Sequence, residues 1–191
     1  MANIDKAFGL RPIGNLSATG AQKQYGYEIE DNQSGAIFQG DLVTIVGGYV
    51  VKFAPATHAA ALGVFNGCQY IDPTSGKPTF KNFYPGSVNI TSGKITADVI
   101  DDPSQLFLIQ CDAGFVAADV GKNADVIGTG GSTTTGVSTM ELNSSSLAVT
   151  AALNLKTVGL YNVPSNEFGS FAVVVVKINE HVYGSAGVAG Q

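Results

Sequence analysis

The sequence predicts an all-β protein, a β-sandwich or barrel with an extended N-terminal arm. Three observations carry that reading. Charged residues make up only 13% of the 191-residue chain, about half the usual share of ~25%. Surface polarity therefore falls to Ser, Thr, Asn, Gln and backbone, which suits strands and loops better than exposed helices. Twenty-four glycines and seven prolines make the chain turn often. Finally, short β-rich runs recur along the chain between turn residues, with no amphipathic helical pattern longer than a couple of turns.

Residues 1–36 read as the arm. Arg11-Pro12 and the glycines at 9, 14 and 20 forbid a long helix. The apolar residues Phe8, Leu10, Ile13 and Leu16 need a surface to pack on, either their own domain or a neighbour. "FQGDLVTIVGGYVVKF" then reads as two strands joined by a tight Gly47-Gly48 turn. A linker with one helical turn over Thr57 to Ala61 leads to a strand from Leu62 to Tyr70. "DPTSGKP" is a turn, and "TFKNFYPG" a short edge strand closed by Pro85-Gly86.

In "GKITADVIDDP" the residues Ile95, Ala97 and Val99 share one face, and "QLFLIQCDAG" is the next strand. "GFVAADVGKNADVIG" holds room for a short helix interrupted by Gly121. "LAVTAALNLKTVGLY" and "SFAVVVVKINEHVY" are both strand-like, the second with Ala172, Val174, Val176, Ile178 and Val182 on one face. A break near residues 71 to 90 divides the body into two small β subdomains, 37–86 and 87–191.

Reactive constellations are missing. The stretch "GTGGSTTTGVST" (residues 128–139) has the glycine spacing of a phosphate loop between Gly131 and Gly136, but Val137-Ser138 follows where Lys and a hydroxyl are required. It reads as an exposed loop on the surface. His58 and His181 have no second ligand at metal spacing and read as surface histidines. Asp101 and Asp102 are neighbours on an extended chain and point opposite ways, so they suit the turn before Pro103 better than paired acid–base work. No G-x-S-x-G elbow is present. We therefore expect no enzyme and assign no catalytic, cofactor-binding or metal-binding residue.

The formal charge is −5, and the ten basic residues are scattered rather than clustered. Nucleic acid, which needs a basic stripe, is not an expected direct partner, nor is an anionic membrane. The N-terminal residues contain no continuous apolar segment of a secretory signal, and no run approaches the ~18 residues of a membrane span. Cys68 and Cys111 allow one disulfide; two buried thiols are favoured in a chain that stays in the cytosol.

"MANIDKAFGLRPIGN" resembles the N-termini of small virion proteins that accompany the major capsid protein in tailed bacteriophages. "GDLVTIVGGYVVKFAPATHAAALGVFNG" is similar to the core rhythm of capsid decoration (cement) proteins: a hairpin, an Ala-rich link, then "LGVF". "DDPSQLFLIQ" with "VVVVKINEH" is similar to larger members that carry a second β domain. The resemblance implies a β-tulip-like first part and a homotrimer on the outside of an icosahedral head, made in the host cytoplasm. Such a protein ties major capsid subunits together near threefold and quasi-threefold positions. In that role Phe8, Leu10, Arg11 and Ile13 would be the arm's capsid contacts. Two alternatives stand beside it. One is another virion subunit, of capsid or tail tube. The other is a carbohydrate-binding or adhesive β-sandwich, which would need aromatic platforms that a Trp-free chain with dispersed tyrosines does not advertise.

Overall fold

The computed structural model describes residues 3–17, 24–128 and 130–184. The first half supplies β1 (Arg11–Asn15), β2 (Gln24–Ile29), β3 (Leu42–Val46), β4 (Tyr49–Lys52), β5 (Gly63–Ile71), β6 (Pro78–Lys81) and β7 (Ile95–Ile100). The second half supplies β8 (Gln105–Gln110), β9 (Gly114–Phe115), β10 (Asn123–Ala124), β11 (Val126–Ile127), β12 (Glu141–Leu142), β13 (Leu155–Leu160), β14 (Gly169–Ser170) and β15 (Val173–Ile178). Among the described residues there is no α-helix, only single 3₁₀ turns at Ala117–Asp119 and Ser144–Ser146. The protein is all-β. The expected helical turn after Thr57 is a plain turn, in which the N–H groups of Thr57 and His58 both donate to the Ala54 carbonyl.

Two antiparallel sheets account for most strands. One runs β1-β8-β15-β13-β10, and the other β2-β7-β5-β3-β4 with β6 added to β5. The short pairs β11-β12 and β9-β14 stand apart. The β3–β4 turn is the expected Gly47-Gly48 pair, with φ of 60° and 95°, the two positive values a primed hairpin turn demands. β5 is long enough to serve two partners along one edge: β3 pairs at Gly63 and Val64, and β6 at Cys68 to Ile71. A register shift between Phe65 and Gly67 bends the strand there. The second sheet curls until β2 and β4 approach each other, enclosing Ile29, Val43, Val50, Phe65, Cys68 and Val99.

The other core gathers Phe107, Ile109, Leu155, Val174 and Val176 of the first sheet. Leu42, Val64 and Ile100 join it from the ends of second-sheet strands, so the two sheets meet through apolar contacts. Alternation read from the sequence is realised: Ala172, Val174, Val176 and Ile178 are buried, as are Ile95, Ala97 and Val99. Val182 escapes the pattern at 40% exposure because the strand has ended before it.

Residues 37–86 and 87–191 do not each make a sheet of their own. The chain changes sheet between β7 and β8, because Ile95–Ile100 lies between β2 and β5. The N-terminal residues are likewise divided, β1 going to one sheet and β2 to the other. Asp-Asp-Pro therefore marks the crossing, while the stretch near residues 71–90 stays within one sheet, as loops around β6.

Candidate functional site

Between Asn3 and Asn15 the arm is laced to the body at several points. Asn3 Nδ2 donates to the carbonyls of Glu167 (2.8 Å) and Ser170 (2.9 Å). The buried Gln110 amide donates to the Ile4 carbonyl at 2.7 Å and accepts from the Lys6 N–H at 2.8 Å, mimicking a strand neighbour. Gly9 must be glycine: its φ is +70°, and a Cβ would come within 2.7 Å of both the Gly40 carbonyl oxygen and Ser138 Cβ. That close approach lets the Leu10 N–H donate to Gly40 at 2.8 Å. β1 then pairs with β8.

The four expected arm contacts separate on this frame. Leu10 is 1% exposed and belongs to the first sheet's core, so it is not available to a partner; its apolar character serves the chain's own fold. Ile13 is 44% exposed on the edge strand. The Arg11 guanidinium lies 4.5 Å from the centroid of the half-buried Phe8 ring. Phe8, Arg11 and Pro12 form one side of a groove of about 380 Å³, with Gln39, Asn66 and Val137 across from them. Gln39 Nε2 donates to Asn66 Oδ1, and Asn66 Nδ2 to Gln24 Oε1, at 2.9 Å each. Arg11 makes no ion pair among the described residues.

Val137 is the surprise, since it comes from the stretch expected to be an exposed loop. Gln39 and Val137 form a parallel bridge. The Gly131 backbone presses so closely on Phe38 that a Cβ would meet the ring at 2.2 Å. Ser138 is fully buried, and its hydroxyl donates to Asp41 Oδ1 at 2.6 Å while accepting from the Met140 N–H at 2.9 Å. Asp41 Oδ2 takes the Phe38 N–H (2.8 Å) and the Lys52 ammonium (2.9 Å). Burial pushes the Asp41 carboxyl up, against the pull of Lys52 and these hydrogen bonds. Gly128, Gly130, Thr133, Thr134, Thr135 and Thr139 are the exposed ones among the described residues of the stretch, so it is part surface loop and part packed segment. Gly131 and the Ser138 hydroxyl serve packing against Phe38 and Asp41, just before β3, and Gly136 against Asn82, a role that the absence of phosphate chemistry left open.

The remaining titratable residues form no second reactive constellation. His58 Nδ1 accepts from the Ala54 N–H at 2.9 Å. His181 is buried rather than at the surface, because its segment bridges to Ala61, and its Nδ1 accepts from the Tyr183 N–H at 3.0 Å. Asp102 takes the Asn15 side-chain amide and the Ser104 N–H, which is turn work. Asp101, 2% exposed, accepts the Tyr27 hydroxyl at 2.6 Å. Burial, then the Asp101 bond, pushes the Tyr27 phenol up. Cys68 and Cys111 are free, buried thiols in separate cores; burial pushes each up to about 12. Among the described residues no group of three His, Cys, Asp or Glu is placed to hold a metal ion, and no helix is long and apolar enough to cross a membrane.

Comparison with protein-family models, curated proteins and solved structures finds no match.

Proposed function

We propose that this chain is a non-enzymatic virion protein that binds the outer surface of an icosahedral phage head as a homotrimer and stabilises it by bridging major capsid subunits. One observation carries the proposal: residues 3–17 are fixed to the body yet keep Ile4 (78%), Ile13 (44%) and Leu16 (56%) exposed on the same segment that lines the Arg11–Phe8 groove. A surface that is already ordered loses little conformational entropy on docking. Each apolar side chain fully buried at such a contact contributes about 1.5–3 kcal/mol.

The manner of contact follows from β1. Its inner edge is committed to β8, and Pro12 and the bulge beside it blunt the outer one. Docking is therefore by side chains, with Phe8, Arg11 and Ile13 meeting the capsid subunit, and not by adding the arm as a strand. A carboxylate on that subunit would satisfy the Arg11 fork.

The test is rebinding to heads stripped of this protein. Wild type should reoccupy the heads and raise their resistance to heat. An Arg11→Glu, Ile13→Asp double variant should keep its native circular dichroism and lose rebinding. Full occupancy by that variant would remove the groove from the contact, and wild-type rebinding without added heat resistance would sink the stabilising role.

A further inference from the structure

The outward face of the second sheet holds an arrangement that the arm does not use. Strand register sets Phe80, Gln69, Thr96 and Glu28 side by side across β6, β5, β7 and β2. Two residues along β7, Asp98 stands between Gly67 and Gly26. Alternate residues share a face, so these positions form one surface whose reverse carries the buried Ile95, Ala97 and Val99.

Phe80 is 61% exposed and lies across Gly67: a Cβ on that glycine would come within 2.7 Å of the ring's Cζ. The ring therefore packs closely on the bare Gly67 backbone while most of it stays open to solvent. Beside it is a concavity of about 430 Å³ bordered by Gln69, Thr96 and Lys94 and by the apolar Ile71 and Pro78; Asp98 lies next to Gln69, outside that lining. Gln69 Nε2 donates to Asp98 Oδ2 at 3.3 Å, which leaves the amide a second N–H and both groups lone pairs for a ligand. The Lys94 ammonium is paired with Glu28.

Charge selects among ligands. Lys94 and Glu28 offset each other, and Asp98 leaves the face net negative, so phosphates and acidic peptides are disfavoured. A second protein surface would meet a small apolar patch of Phe80, Pro78 and half-buried Ile71 bordered by polar groups, less than a stable apolar contact needs. A pyranose matches both halves: its C–H face stacks on an aromatic ring, and its neighbouring hydroxyls both give and take hydrogen bonds, as planar amides and carboxylates require. We propose that this face is a binding site for a neutral glycan, with one sugar ring on Phe80 and its hydroxyls on Gln69, Asp98 and Thr96.

The experiment is an amide chemical-shift titration of the isotope-labelled full chain with lactose, maltose, cellobiose and N,N′-diacetylchitobiose. At least one should bind saturably near ~1 mM, the range of a weak single-ring contact, with shifts centred on Gln69, Thr96 and Asp98. Phe80→Ala should weaken binding by about tenfold or more, equivalent to about 1.4 kcal/mol, while Phe80→Trp preserves it. Gln69→Ala, on an exposed position, supplies a second loss should Phe80→Ala disturb the fold. No saturable shift with any of the four sugars overturns the proposal, as does binding that survives both alanine variants. Self-association of the wild type through this face, removed by Phe80→Ala, also overturns it and assigns the face to a second copy. Phe80→Ala should still rebind stripped heads, so failure here and failure of the capsid reading are separable.

Discussion

Asp41 concentrates more structure than any other side chain. Its two oxygens join the start of β3 to β4 through Lys52, to the preceding turn through the Phe38 N–H, and to the 128–139 segment through Ser138. Asp41→Ala should destabilise by about 3 kcal/mol, since it strands a partly buried ammonium and two buried donors. Ser138→Ala should cost about 1–2 kcal/mol, whereas Thr133→Ala and Thr134→Ala on exposed positions should stay within about 0.5 kcal/mol. Urea midpoints at constant m-value measure all four; equal effects at Ser138 and Thr133 would contradict the node. The thiols make a companion case. With both held near 12 by burial, Cys68 and Cys111 should resist a disulfide-exchange reagent at pH 8 in the native state and react on unfolding. Their burial was legible because each sits in an apolar run. Ser138 and His181 were not, since a polar residue's burial depends on a partner distant in sequence: Asp41 lies 97 residues before Ser138.

At the scale of elements, periodicity predicted the strands because period-two alternation directly encodes a half-buried sheet. It did not reveal the sheet partners. β1 joins β8 and β2 joins β7, pairings between segments distant in sequence that no local pattern encodes. The arm shows the consequence. Read as a detachable tether, residues 2–20 would be removable with the fold intact; in the structure that deletion takes away β1, Leu10 from the core and the partners of the buried Gln110 amide. The truncated chain should therefore melt well below wild type or lose its cooperative transition. Leu10→Ala alone should cost about 2–5 kcal/mol. A truncated chain that melts like wild type in circular dichroism would show that the lacing contributes nothing. Phe80 illustrates the same limit from the other side: counting Trp and Tyr misses an exposed aromatic, because it is a Phe whose ring packs on a glycine of the adjacent strand.

Across the whole molecule, burial governs the response to pH. The carboxyls of Asp41, Asp125, Glu141 and Glu180 are each raised, burial being the largest cause in every case. Asp72 is lowered by the N–H groups of Ser75 and Thr74. At Asp119 burial is the largest single influence and pulls upward, yet the bonds from Lys122 and the Val116 N–H together leave that carboxyl lowered. A raised carboxyl holds its proton in the folded chain over a range where the unfolded chain has released it. Stability then falls as pH rises through the window between the unfolded value, about 4, and the folded one. The two lowered groups act oppositely: their stabilisation is present above the unfolded value and is lost as pH falls below about 4. Four groups outweigh two on the upper side of that point, and few surface ion pairs exist to be broken there: among the described residues the exposed one is Lys94–Glu28. Thermal melts should thus show stability at pH 5 equal to or above that at pH 7, with the steep loss confined to lower pH. A steady fall in melting temperature from pH 7 to pH 5 would mean that pairing rather than burial controls these carboxyls. A chain with this profile would remain folded in mildly acidic surroundings, where a surface held by ion pairs would weaken.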